Sequence, residues 1–228
     1  MGLASADSDY DVRFLYLRPR SFYLAIDLED KRDVIETPLD GSWDVNGWDL
    51  RKALQLMRKS NPPLFEWLQS PIVYRESSSI PARLRALLAV HFRPDSALHH
   101  YLHMARGNFR EYLRGEEVWR KKYFYVLRPL LACRWIERAL GPVPMEFARL
   151  VEAAADEAPV REAIARLLEE KRGGAELDRG PRIAVLSDFI VAELARHEEL
   201  RPARERSVSE VAPLNQLFAA ALDEVWSA

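Results

Sequence analysis

SDYDVRFLYL, residues 8–17, is the stretch on which the fold turns. Asp9 and Asp11 stand two positions apart and run straight into a β-branched and aromatic segment, VRFLYL (12–17). An extended chain alternates its side chains between two faces, so residues i and i+2 share one. The two acids are therefore expected on one face at the start of a strand. Carboxylates so placed repel each other unless a cation lies between them, and a hard divalent ion with oxygen ligands supplies one. The competing reading is a solvated turn in which both side chains cap local backbone groups.

Outward from this stretch, FYLAI (22–26) and RDVIETPL (32–39) repeat the strand style, with Pro19, Asp27, Asp30 and Pro38 as breaks. WDV (43–45) sets a third acid, Asp44, between apolar neighbours. From Asn46, taken as an N-cap, the period becomes helical. Leu50, Ala53, Leu54 and Met57 fall at i, i+3, i+4, i+7 of a helix over 47–59. Asn61-Pro62-Pro63 ends it. Further helices are expected near 80–92, 96–115, 118–141, 145–172, 182–200 and 213–226, with a glycine-rich charged loop at 172–181. The expected class is α+β, a small mixed sheet in residues 1–75 followed by a helical bundle in 76–228.

Bulk properties narrow the function classes. The 228 residues carry a formal net charge of −2, so no global field points to nucleic acid or an anionic membrane, and any such contact needs a local basic patch. Cys133 is the single cysteine; that excludes a disulfide framework and a thiolate metal site, and its apolar setting suits an inert core thiol in a reducing, cytoplasmic compartment. No apolar run approaches the ~20 residues of a membrane span, and no leader pattern opens the sequence, so no membrane partner is expected. A phosphate-binding G-x-x-x-x-G-K-[ST] loop is absent from the sequence. His99 and His103 stand at i, i+4 beside His100, yet no H-E-x-x-H or nearby cysteine completes a zinc set. Lys121, Tyr125 and Arg128 fall on one helical face, with Lys122 three residues before Tyr125. Cations flanking a tyrosine suit a triphosphate tail and a stacked base, or else snorkel at the rim of a core face.

Five segments together carry a resemblance: SDYDVRFLYL, WDLRKAL (48–54), SNPPLFEWL (60–68), HYLHMARGNFREYLRG (100–115) and KKYFYVLRP (121–129). In combination the chain resembles the DNA polymerase β superfamily of nucleotidyltransferases, and within it a bacterial and phage group associated with RNA ligases. The resemblance implies a nucleotidyltransferase-type core in 1–75 and a helical domain in 76–228. It implies Asp9 and Asp11 as ligands of the Mg²⁺ (or Mn²⁺) that carries a nucleoside triphosphate, with a third acid completing a second metal position. Asp44 is the expected third acid, because its strand leads into a helix. Glu36 in VIE is the rival, although an edge-strand charge there would face water. Ser8, Lys121, Lys122, Tyr125 and Arg128 are expected on the nucleotide. The implied reaction moves a nucleoside monophosphate to a hydroxyl, two ions clamping an in-line displacement that releases pyrophosphate. The association with RNA ligases points, by analogy, to an RNA end and RNA repair. The superfamily's Gly-Ser phosphate turn and its strand are expected upstream of Met1-Gly2, which makes this chain an expected N-terminally shortened member. A catalytically inactive binding module for nucleic acid or protein is the alternative, and a phosphohydrolase with water as acceptor is a third reading.

Overall fold

A computed structural model describes residues 10–37, 43–173, 177–199 and 210–227. The chain divides after Phe92 and again near residue 207. The described residues up to Phe92 and those from Glu210 onward form one unit, and Arg93 to Glu199 form the other.

The first unit carries the mixed sheet that the apolar runs predict. β1 (Tyr10–Tyr16) and β3 (Trp43–Asp49) run parallel, in register from Tyr10 opposite Trp43 to Tyr16 opposite Asp49. β2 (Val34–Glu36) pairs antiparallel with the other edge of β3. The strand expected at 22–26 does not form. Pro19 leads instead into a short helix, α1 (Arg20–Tyr23), and a 3-10 turn follows over Leu28–Asp30. Both edges of β3 are already paired, and Tyr23 is used as a tether, its hydroxyl donating to Asp49 Oδ2 at 2.7 Å.

β3 also runs four residues beyond the expected WDV. Asn46 is expected as an N-cap and Gly47 in the helix it opens, but Gly47 lies against the ring of Phe14 on β1, where an added Cβ would fall 2.2 Å from ring carbons. The glycine serves a close cross-strand approach rather than a turn. Asn46 is thus a strand residue, and the cap of α2 (Leu50–Arg58) is Asp49, whose Oδ1 accepts the Arg51 N–H at 2.8 Å.

α2 buries the expected stripe of Leu50, Ala53, Leu54 and Met57 and packs on β1 and β3. It ends at Ser60, held at φ 52°, with the Ser60 N–H donating to Met57 O and the Asn61 N–H to Leu56 O, a Schellman closure. Asn61 then does more than stop a helix: its Oδ1 accepts the Leu64 N–H and starts α3 (Pro62–Leu68). Leu84 and Leu88 of α4 (Ile80–His91) and Leu214, Leu217 and Ala221 of α10 (Ala212–Trp226) join the same core, with Leu15, Leu17 and Trp48 packed against it. The Glu224 carboxylate accepts both the N–H and the hydroxyl of Ser79 at 2.6 Å. The far end of the chain is thereby tied to the sheet unit.

The second unit is built on α6 (Tyr123–Glu137), of which twelve residues are buried, Pro129 among them. α5 (Pro94–Tyr112), α7 (Phe147–Ala154) and α9 (Ala184–Glu199) pack on it, and α8 (Ala158–Arg172) packs on α9. The helix expected over 145–172 is two, because the chain is non-helical at Ala155–Glu157. On α5, Ala97, Tyr101, Leu102 and Ala105 form the buried face, while Met104 turns outward. β4 (Glu117–Trp119) and β5 (Arg179–Pro181) form an antiparallel pair. Among the described residues no helix is long and apolar enough to cross a membrane.

Candidate active site

The parallel register of β1 and β3 brings together two acids that the sequence separates by 33 positions' worth of chain: Asp11 is the direct partner of Asp44. Trp48 and Leu15 face the core, so by alternation Asn46 and Asp44, and Arg13 and Asp11, stand on that same face further along the strands. The sheet therefore presents rows. Leu15 lies beside Trp48, then Arg13 beside Asn46, then Asp11 beside Asp44 at the open end. The opposite face ends in Tyr10 and Trp43, stacked with ring centroids 4.9 Å apart.

Arg13 ties the acids to each other. Its Nη2 donates to Asp11 Oδ1 at 2.9 Å and to Asp44 Oδ2 at 2.6 Å. Its Nη1 donates to the carbonyls of Asp44 at 2.7 Å and Val12 at 3.1 Å. The guanidinium carbon lies 5.9 Å from the ring centroid of Trp67, which stacks on Trp48 at 3.7 Å. The hydrogen bond from Arg13 holds the Asp44 carboxyl below the usual carboxylate range. Two hard carboxylates on solvent-facing strand positions are a donor set that suits Mg²⁺ or Mn²⁺. Among the described residues no third histidine, cysteine, aspartate or glutamate joins them in a metal-sized group.

Glu36, the rival acid, sits one row away. It pairs across the strands with Asn46, whose Nδ2 approaches Glu36 Oε1 at 3.4 Å, and Arg32 approaches it at 4.0 Å. Ser8 and Asp9 lie outside the described residues, as do Pro38 to Ser42.

The basic group of the helical unit is arranged differently from a helical face. Arg120–Lys122 form a 3-10 turn ahead of α6, so Lys121 does not share the face of Tyr125. Lys122 and Tyr125 do meet: the ammonium lies 4.4 Å from the Tyr125 ring and 4.3 Å from that of Tyr112. Arg128 is buried, its Nη2 donating to the carbonyls of Pro144 and Met145 at 3.2 and 3.3 Å. His99 and His103 gather no metal set among the described residues. Lys52 is paired with Asp33 at 2.9 Å. Cys133 is a core thiol whose pKa burial pushes far up, beyond reach of ordinary thiolate chemistry.

Arg13 is the residue that the sequence reading passed over. The signal was present, because the alternation that pairs Asp9 with Asp11 also places Arg13 on their face. Trp67 had no such signal; α3 brings it under Trp48 and Arg13.

Comparison with known proteins finds similar sequences over nearly the whole chain. The sequence model of the RNA repair pathway DNA polymerase beta family, RlaP, matches residues 1–220. The chain is also 45% identical to the uncharacterized protein YcgL of Bacillus subtilis (strain 168), a match covering 99% of this chain and 86% of that protein. No solved structure matches.

Proposed function

The chain belongs to the RNA repair pathway DNA polymerase beta family, and on that premise we propose that it transfers a nucleoside monophosphate from a nucleoside triphosphate to a hydroxyl acceptor at an RNA end. The observation that carries the proposal is the facing pair Asp11 and Asp44, sharing one cationic partner on adjacent parallel strands. Asp11 and Asp44 would hold Mg²⁺ or Mn²⁺, and Asp9 is proposed as a further ligand from its sequence position two residues before Asp11. The ion, when bound, neutralises charge developing on the transferring phosphoryl group and favours deprotonation of the attacking hydroxyl. Asp44, held ionised by Arg13, offers an acceptor that stays unprotonated well below neutral pH. Arg13 adds a planar fork of donors next to the acids, the geometry that suits phosphate oxygens. Stacked Tyr10 and Trp43, each about half exposed, give the same strand ends an aromatic surface on which an unpaired base can lie. Within the helical unit itself, Lys122 and Tyr125 are proposed as a cation and a ring able to meet a phosphate and a base, with Lys121 a supporting charge. Arg128 enters that proposal only through the loop it holds at Pro144 and Met145.

The test is transfer of label from α-labelled nucleoside triphosphates to RNAs with free hydroxyl ends, in Mg²⁺ or Mn²⁺. Wild-type protein should label RNA, and Asp44→Asn should lose on the order of 10²-fold or more, as expected when metal stabilisation of several kcal/mol is removed. RNA binding without any transfer would replace this reading with the binding module.

A further inference from the structure

We infer that Arg13 is a resident countercation of the Asp11–Asp44 pair, one that a divalent ion displaces readily only when it arrives with a nucleotide whose phosphate takes up the released guanidinium. The inference rests on the reading of this pair as a metal site. A single nitrogen, Nη2, contacts Asp11 Oδ1 and Asp44 Oδ2 at 2.9 and 2.6 Å, so the guanidinium occupies the place between the two carboxylates that would hold an ion. Ion and guanidinium therefore compete for the same ligands. An ion of charge two placed within a few ångströms of the guanidinium is repelled by a factor of roughly ten or more, even with water-like screening.

A lysine in this place could shed its proton and stay. An arginine keeps its charge under all ordinary conditions, so Arg13 has to move. Its path is short. The Nη1 bonds to the Asp44 and Val12 carbonyls and the ring of Trp67, 5.9 Å away, keep the side chain beside the acids. Trp67 is itself fixed by stacking on Trp48. A guanidinium tethered there through Nη1 has its Nη2 donors released, and those recruit a phosphate oxygen. Metal and nucleotide should then bind cooperatively, each supplying what the other displaces.

The experiment is titration of Mn²⁺, followed by electron paramagnetic resonance, into the full chain, Arg13→Gln and Arg13→Lys, alone and with each of the four nucleoside triphosphates. With Mn²⁺ alone, Arg13→Gln should bind about tenfold tighter or better than wild type. With Mn²⁺ and nucleotide together, the same variant should bind about tenfold weaker than wild type, the loss expected for a charge-assisted contact to phosphate. Arg13→Lys should move both values in the same directions, because a compact ammonium cannot span two carboxylates and two carbonyls at once. It decides the matter should Arg13→Gln fail to fold. Opposite signs in the two titrations are the signature, since a merely structural arginine would shift both the same way. Wild-type binding of Mn²⁺ with nucleotide, but no gain for the variants with Mn²⁺ alone, would overturn the inference and leave the transferase reading standing. Absence of Mn²⁺ binding in every protein and condition would overturn both.

Discussion

Each unit of the molecule contains a cluster of carboxylates and guanidiniums, and the two clusters are built to opposite ends. In the helical unit, Arg134 of α6 bonds Glu193 of α9 at 2.9 Å and Glu157 at 2.9 Å. Arg196 bonds Glu193 at 3.0 Å and Glu137 at 2.7 Å, with His197 3.6 Å from Glu137. Both oxygens of Glu193 are engaged by guanidiniums and its side chain is 6% exposed. On the sheet, one guanidinium serves two acids, and Asp11 and Asp44 are 66% and 41% exposed. The buried cluster is closed to exchange and locks α6 to α9. The sheet cluster is open to solvent and leaves the acids available to another cation. The same pair of side-chain types is a structural joint in one place and a loading position in the other, and burial decides which.

The sharpest break of this contrast is Glu193→Ala. It leaves Arg134, 13% exposed, and the partly exposed Arg196 each short of a partner, and a loss of about 3 kcal/mol in urea unfolding is expected. Asp11→Asn should cost less than about 1 kcal/mol, because exposed ion pairs contribute little. Equal losses at the two positions would show that burial does not separate the clusters.

Gly47→Ala probes the scaffold that sets the register between the acids. The new Cβ meets the Phe14 ring, and a loss of about 1 to 2 kcal/mol is expected from overpacking. Phe14→Leu introduced with it should recover part of that loss, a coupling that a double-mutant cycle measures. Simple addition of the two losses would mean that the ring and the glycine do not constrain each other.

Acid titration sharpens the contrast further. Burial by itself would raise the Glu193 pKa, but the hydrogen bonds and charges of Arg134 and Arg196 overrule it and hold the group at about 2, against 4.5 for an ordinary glutamate. The unfolded chain therefore takes up a proton near pH 4.5 that the folded chain refuses until about pH 2. The stabilisation is full above 4.5 and is lost as pH falls through that window. Glu193→Gln should flatten the fall of urea midpoint with acidification across the same range. An unchanged slope would remove Glu193 from the account.

How much of this was legible in the sequence follows from what kind of contact each feature needs. The α2 stripe was legible because Leu50, Ala53, Leu54 and Met57 repeat with the helix period and all four are buried. Asp11 and Asp44 were singled out from local signals, alternation in one case and apolar flanks in the other. That they face each other is a fact of register between distant strands, and no local period encodes it. FYLAI was read as a strand because its composition is that of one, yet β3 offers no unpaired edge, and Tyr23 caps the sheet by its hydroxyl instead. Asn46 was read as a helix N-cap, with Gly47 inside the helix it opens, because asparagine is a common cap. The ring of Phe14, which makes a glycine necessary there, approaches from β1. The attachment of α10 to the sheet unit depends on contacts such as Ser79 with Glu224, about 145 positions apart in the chain, and had no signal at all.

The smallest expected effect bears most directly on function. Asp11→Asn and Asp44→Asn should each change stability little, since Arg13 keeps one carboxylate and its two carbonyl contacts in either variant. The double variant should lose more than the sum, because it strands the guanidinium at 23% exposure with carbonyls alone. In thermal melts, Mn²⁺ with nucleotide should raise the midpoint of wild type and leave both single variants where they are, as linkage requires of a ligand that binds only the intact pair. A pair of acids that contributes little to folding, while its loss removes every response to metal and nucleotide, is maintained for what it binds. Single variants that unfold the sheet unit outright would instead make Asp11, Arg13 and Asp44 a joint like the one in the helical unit, and the contrast between the two clusters would disappear.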